Sequence, residues 1–175
     1  MTSTSEIAAY NAEDVAIVSI YYAVEESPDK EIESLPIAEG AERIRLWMEK
    51  NRETLAEKTE LNLGERDLRV LPARELAYFT GLRYLSLHKN RLTELPDALW
   101  GLTSLVGLDI SNNQISAISD IGLSKMKNLI EIDLRNNKLE NYPDALRTLP
   151  KLTTIQSTGN PRPFRKAPGG KCTIM

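Results

Sequence analysis

Three side chains in this sequence are of the types that serine hydrolases combine. Ser86 and His88 stand two residues apart, and Asp109 lies in the next segment of similar pattern. Residues two apart on a strand share a face, and strands about 4.8 Å apart can bring a hydroxyl, an imidazole and a carboxylate together. Hydrolysis also needs an oxyanion hole and a substrate pocket. The interpretation therefore depends on the surface that carries these residues.

A different chemistry is indicated by the last four residues, Cys172, Thr173, Ile174 and Met175. They fit the C-a-a-X pattern of prenylation, and Met at the last position favours farnesyl over geranylgeranyl. We predict a farnesyl group on Cys172 and no other cofactor. One lipid chain anchors weakly, so a second signal is needed. Basic residues near an anionic membrane supply one, and we assign this role to Arg162, Arg165, Lys166 and Lys171.

The lipidation hypothesis requires that the chain meets a prenyltransferase. A eukaryotic protein meets that enzyme in its own cell. A bacterial protein meets it only after delivery into a host, and would then be an effector that uses host lipidation. The sequence leaves both origins open, as well as a third case in which the cysteine stands fourth from the end by chance and the tail is unused.

Charge and composition narrow the class of protein. Residues 1–40 carry nine acids and one base, residues 161–175 carry four bases and no acid, and the net charge is −3. We therefore expect no nucleic-acid partner. The sequence has one cysteine, no basic segment that would begin a signal peptide, and no apolar run of about 20 residues that could span a membrane. We therefore expect a cytoplasmic monomer that reaches the cytosolic face of a membrane through its lipid. One histidine and one cysteine, far apart, make no zinc site.

An internal repeat occupies the middle of the chain. The pattern L-x-x-L-x-L-x-x-N-x-L starts at residues 82, 105 and 129, and imperfect copies start at 58 and 152, so the spacings are 24, 23, 24 and 23. Apolar residues two apart enter the core from a short strand. The asparagine after the strand can bond backbone groups that the turn leaves without partners. We predict a ladder of such residues: Asn90, Asn113, Asn137 and Asn160.

These repeats resemble the typical leucine-rich-repeat family, with its period of 23–24 residues, which includes intracellular scaffolds and phosphatase regulators. The Leu-Pro pairs after the asparagines, such as Leu95-Pro96, match that family as well. The resemblance implies an α/β solenoid of about five repeats, with short parallel strands on a concave face. It implies protein binding without naming a partner.

The flanks divide the chain into three predicted parts. Residues 1–57 form an acidic region and a helical cap, residues 58–160 the repeat domain, and residues 161–175 a flexible basic tail. The spacing of Ile37, Ala41, Ile44 and Met48 predicts a helix over residues 37–57 that covers the first repeat. Residues 11–26 favour a helix by their capping residues, although their side chains are mostly strand formers, so the strand alternative stays open.

The polar strand positions define the predicted binding face. A shallow solenoid surface offers neither an oxyanion hole nor a pocket, so we predict a non-catalytic adaptor that binds a basic or mixed-charge protein. The alternatives are a soluble regulator of a phosphatase, a small GTPase or a ubiquitin-ligase subunit, and a solvated face without a partner. The candidate contact residues are Glu60, Tyr84, Ser86, His88, Asp109, Glu131, Asp133 and Arg135.

Overall fold

The computed structural model describes residues 40–164 and 173–174. Predictions for residues 1–39, for Arg165, Lys166 and Lys171, and for the thiol of Cys172 lie outside this part of the chain. In the described residues, no helix is long and apolar enough to cross a membrane.

In the described part of the chain, six short strands form one parallel sheet in sequence order. They are β1 (Glu60–Asn62), β2 (Tyr84–Ser86), β3 (Gly107–Asp109), β4 (Glu131–Asp133), β5 (Thr154–Gln156) and β6 (Thr173–Ile174). The middle residues of β1 to β5 lie in register and are buried: Leu61, Leu85, Leu108, Ile132 and Ile155. The apolar column of the repeat is therefore the core side of the sheet.

Short helices return the chain from each strand to the next. The returns contain 3-10 helices at Glu75–Tyr78 and Asp97–Gly101, and the α-helices α2 (Asp120–Leu123) and α3 (Ala145–Thr148). Their buried residues include Leu76, Leu99, Leu123 and Leu146, which face the strand leucines across the core. The fold class predicted from the period, a leucine-rich-repeat solenoid, is confirmed.

A helix precedes the first repeat. Helix α1 spans Ala41–Asn51 and is followed by a 3-10 turn at Leu55–Glu57. Its residues Ile44, Trp47 and Met48 are almost fully buried and belong to the same core as the repeats. The helix is shorter than the predicted span, because residues 52–54 turn out of it and residues 37–39 lie outside the described part.

The predicted asparagine ladder is present, and each member serves two repeats. Asn113 shows the pattern: its Nδ2 donates to the carbonyls of Ile110 at 3.1 Å and Leu87 at 2.9 Å, while its Oδ1 accepts from Leu92 N at 3.0 Å. Asn90, Asn137 and Asn160 repeat these contacts with their own neighbours. The asparagine thus satisfies buried backbone groups that no strand or helix would pair.

The residue before each ladder asparagine, and Glu65 before Arg66 at the equivalent position of the first repeat, turns the chain through the left-handed region. Glu65, Lys89, Asn112, Asn136 and Gly159 all have φ between 51° and 75°. At Gly159 a side chain is excluded as well, since an added Cβ would lie 2.0 Å from Oδ1 of Asn136. The repeats therefore share one turn conformation as well as one sequence pattern.

The last full repeat is closed by an aromatic cluster. Phe164 is buried and packs edge-on against Tyr142, with ring centroids 5.2 Å apart. The guanidinium of Arg147 lies 5.0 Å from the Phe164 ring centre, and the hydroxyl of Tyr142 donates to the carbonyl of Arg162 at 2.9 Å. This cluster shields the apolar end of the solenoid from water, as terminal repeats require.

Candidate protein-binding face

The side of the sheet opposite the core carries two rows of polar positions, which we call the polar face. The first row is Glu60, Tyr84, Gly107, Glu131 and Thr154, and the second is Asn62, Ser86, Asp109, Asp133 and Gln156. His88 and Arg135 follow two residues after the ends of β2 and β4. The structure therefore brings all eight predicted contact residues to one face.

Only some of these residues are open to solvent. Glu60 and Tyr84 are half-buried, and the side chains of His88 and Arg135 are 27% and 35% exposed. In contrast, Ser86, Asp109, Glu131 and Asp133 are buried. Three acids among the candidate contact residues, Asp109, Glu131 and Asp133, are therefore largely withdrawn from solvent.

The second row contains a repeated turn that the sequence interpretation missed. Oδ1 of Asn62 accepts from Gly64 N at 2.8 Å, Oδ1 of Asp109 from Ser111 N at 2.9 Å, and Oδ1 of Asp133 from Arg135 N at 2.9 Å. Each is an Asx turn that ends a strand. The recurrence of Asn or Asp after the second core leucine or isoleucine was the available signal. These acids therefore have a structural role.

Burial changes the acidity of this row. Burial raises the pKa of Asp109 above its usual range, the neighbouring charge of Asp133 adds to the increase, and the Ser111 backbone N–H opposes it. Buried charges without full compensation favour their neutral forms. The Asp109 carboxyl therefore takes up a proton at a higher pH than an aspartate in water.

Glu131 is the most perturbed of the acids. Its Oε1 accepts from Nε2 of Gln156 at 3.2 Å, whereas Oε2 is buried and makes no hydrogen bond in the described structure. Burial raises the pKa of Glu131 to about 7, with smaller contributions from the charges of Asp133 and Asp109. Near neutral pH this carboxyl group is thus divided between its protonated and ionised forms.

Arg135 is held in a fixed orientation at the border of the polar face. Its Nε lies 3.0 Å from both carboxylate oxygens of Asp133, and its Nη2 lies 2.6 Å from Oδ2. Such a bidentate pair fixes the plane of the guanidinium. Because Asp133 is buried and Arg135 is partly exposed, the pair presents an oriented cation to solvent.

Tyr84 is the large aromatic side chain of the first row. It lies in register between Glu60 of β1 and Gly107 of β3. Gly107 has no side chain, so the register partner of Tyr84 on β3 adds none to this row. A half-buried aromatic ring on a sheet surface is typical of interface anchors.

The arrangement of Ser86 and His88 does not make a hydrolytic site. Ser86 Oγ and His88 Nδ1 share a hydrogen bond of 2.8 Å, as the triad hypothesis requires. However, His88 Nε2 lies 3.5 Å from Oε1 of Glu65, and the carboxylate of Asp109 bonds Ser111 instead. Ser86 is also only 5% exposed, whereas a hydrolytic serine must present its hydroxyl to a substrate carbonyl.

Repeated parallel strands, a ladder of buried asparagines and an open polar face define a solenoid of the protein-binding class. The family model for leucine-rich repeats matches residues 59–115 and 105–161, and the chain belongs to that family. Proteins with this fold generally mediate protein–protein interactions and are generally not catalytic.

Curated relatives match this chain over part of its length. The chain is 37% identical over 109 residues to the geranylgeranyl transferase type-2 subunit alpha of Bos taurus. This alignment covers 61% of the chain and 18% of that protein. The chain is 36% identical over 80 residues to Tsukushi-A of Xenopus laevis, covering 44% and 23%. The chain thus matches less than a quarter of the length of either relative.

Solved structures agree on the architecture. A leucine-rich-repeat protein of Leptospira interrogans, LIC12759, is 36% identical and superposes with a TM-score of 0.55 over 58% of this chain and 26% of that one. An internalin of Listeria monocytogenes superposes with a TM-score of 0.54 at 24% identity, over 62% and 31%. The second likeness concerns the fold alone.

Proposed function

We propose that this protein is a non-catalytic adaptor that binds a protein through its polar face at a cytosolic membrane surface, which it reaches by farnesylation of Cys172. The binding part is supported by one observation above all: Tyr84 and Arg135 are partly exposed side chains on a continuous sheet surface, and Asp133 orients Arg135. Aromatic and arginine side chains are the usual anchors of protein interfaces.

The exposed residues indicate the chemistry of the partner. Arg135 offers a cation whose plane is fixed by Asp133, Glu60 offers a half-buried carboxylate, and Tyr84 offers an aromatic surface. Buried Asp133 orients Arg135, and the buried acids do not meet the partner directly. A partner surface of mixed charge, with a carboxylate for Arg135 and an apolar group for Tyr84, fits this arrangement.

A photo-crosslinking experiment tests the binding face. The photoreactive amino acid benzoylphenylalanine is placed at Tyr84 and, as the matched control, at exposed Lys125 after helix α2. We expect a discrete crosslinked product from position 84 that is abolished by Arg135→Ala in the same chain. Equal products from both positions, or none from position 84, would show that the partner uses another surface.

The membrane part is supported by the C-a-a-X residues and the bases before them. Metabolic labelling with a farnesyl analogue should mark the full chain, and Cys172→Ser should remove both the label and membrane association. The variant Met175→Leu is the sharper test, because Leu at the last position favours geranylgeranyl. A chain that takes up neither lipid would leave a soluble leucine-rich-repeat regulator as the remaining function.

A further inference from the structure

The most unexpected element of the structure is strand β6, because it is made from residues of the C-a-a-X motif. Thr173 and Ile174 pair in parallel with β5, with Thr154 opposite Thr173 and Ile155 opposite Ile174. The first residues of β1 to β5 are 24, 23, 24 and 23 apart, whereas β6 starts 19 residues after β5. The chain therefore returns to the sheet without a full sixth repeat.

The site that β6 occupies is the open edge of the solenoid. Without β6, strand β5 would expose a row of unpaired backbone N–H and C=O groups on one side. Such an edge attracts other extended chains unless something covers it. The buried ring of Phe164 protects the apolar end of the last repeat, but the backbone pairing on the outer side of β5 comes from β6. The C-terminal residues thus complete the sheet.

The length of chain between the two strands is sufficient for this return. A parallel connection needs about a dozen or more residues to cross from the end of one strand to the start of the next. Residues 157–172 separate β5 from β6, and the repeats themselves achieve the same crossing in slightly longer segments. Pairing within one molecule is therefore compatible with the covalent connection.

We propose that the β5 edge is a docking site for the protein's own C-terminal strand, and that this docking withholds the last four residues from a prenyltransferase. The enzyme must bind the same backbone as an extended, accessible segment with a free carboxylate, so one segment cannot occupy both places. Transfer then proceeds only from the undocked state: the Cys172 sulfur bonds to C1 of farnesyl diphosphate, the C–O bond to diphosphate breaks, and the thiol proton leaves to solvent. The second half of this inference rests on the proposed membrane tether.

A disulfide experiment tests the docking without any lipid. In a Cys172→Ser background, the pair Thr154→Cys and Thr173→Cys places two thiols at register partners, within reach of a disulfide. The matched control is Glu60→Cys with Thr173→Cys, which uses the first strand of the sheet. We expect an intramolecular disulfide in the first pair only. No disulfide, equal formation in both pairs, or a disulfide between two molecules overturns docking within the chain.

A kinetic experiment tests the withholding. Purified farnesyltransferase and farnesyl diphosphate are given either the full chain or a peptide of residues 165–175, which has the same last four residues and no sheet. Because only the undocked fraction binds, the KM for the full chain should be about threefold or more above that for the peptide, with kcat unchanged. Equal KM values overturn the withholding. If neither substrate is modified, the tether and the withholding fail together, and the disulfide still decides the docking.

Discussion

Gly122 lies directly against the indole ring of Trp100. A Cβ added at Gly122 would come within 2.5 Å of Cδ1 and Cγ of Trp100, which is itself 2% exposed. Helix α2 can therefore pack on the preceding return segment only because residue 122 has no side chain. Two neighbouring repeats meet at this point on the side of the solenoid away from the sheet.

The first prediction concerns this contact. Gly122→Ala should lower the free energy of unfolding by about 1–3 kcal/mol, because the added methyl forces the indole out of its packed position. Gly101→Ala is the matched control, since nothing lies within 4 Å of a Cβ added there. Urea unfolding followed by tryptophan fluorescence measures both. A Gly122→Ala chain as stable as the control would show that the indole moves at no cost.

The second prediction concerns the asparagine ladder. Asn113→Ala should lower the free energy of unfolding by about 2–4 kcal/mol, because the backbone groups of Leu87, Ile110 and Leu92 lose buried partners. Asn128→Ala is the comparison, because its exposed side chain donates one bond to the Thr103 carbonyl and accepts one from exposed Lys151. Chemical denaturation of both variants gives the difference. Similar losses at the two sites would mean that the ladder is replaceable by water.

The third prediction concerns pH. The pKa of Glu131 in the folded chain, about 7, lies above its reference value of 4.5, so the folded state binds the proton more tightly than the unfolded state. The stabilisation from this proton is fully present below about pH 4.5 and is lost as the pH rises through 7. Glu131→Gln should not show that loss. Between pH 5 and pH 8 its free energy of unfolding should therefore rise by about 1–3 kcal/mol relative to that of the wild type.

Thermal unfolding of the wild type and Glu131→Gln across that pH range measures the effect. Glu140→Gln, at an exposed position, controls for the loss of one negative charge. Parallel stability curves for the wild type and Glu131→Gln would contradict the burial argument, since they would mean that Glu131 titrates alike in the folded and unfolded chains.

The fourth prediction concerns the aromatic cluster at the end of the repeats. Phe164→Ala should destabilise the protein by about 3 kcal/mol, since it removes a buried ring and its contacts with Tyr142 and Arg147. Amide hydrogen exchange should show the loss of protection first at Thr154–Gln156. Phe164→Leu keeps most of the apolar volume and should recover much of the protection. Uniform loss along the whole sheet would show that the end does not open separately.

Structural features that recur in each repeat could be predicted from the sequence, whereas contacts that occur only once could not. The core column at Leu85 and Leu108 and the ladder at Asn90 and Asn113 follow from a spacing that recurs, and the structure confirms them. The buried state of Asp109 and Asp133 was not predicted, because an acid on the side of a strand opposite the core is ordinarily exposed to solvent. An Asn or Asp recurs directly after the buried middle residue of β1, β3 and β4, and this recurrence was the missed indication of a turn.

Contacts between distant parts of the chain were beyond any local pattern. Phe164 follows the last asparagine without a spacing that identifies it, and the fit of Gly122 to Trp100 depends on how two irregular returns stack. The pairing of Thr173 with Thr154 is of the same kind. The sequence identified Thr173 for its place in a lipidation motif, and nothing in that motif indicates a strand.

The ladder contacts also have a direction, which matters while the protein is being made. The Oδ1 of each asparagine accepts a hydrogen bond from an N–H of the repeat before it, as Asn113 does from Leu92 and Asn137 from Ile115. A repeat that has just left the ribosome therefore lacks its last buried partner until a further 21 or 22 residues have been added. During translation, each repeat is therefore completed only after the next repeat has been synthesised. Until then, the turn at the end of the nascent chain lacks one buried hydrogen-bond partner.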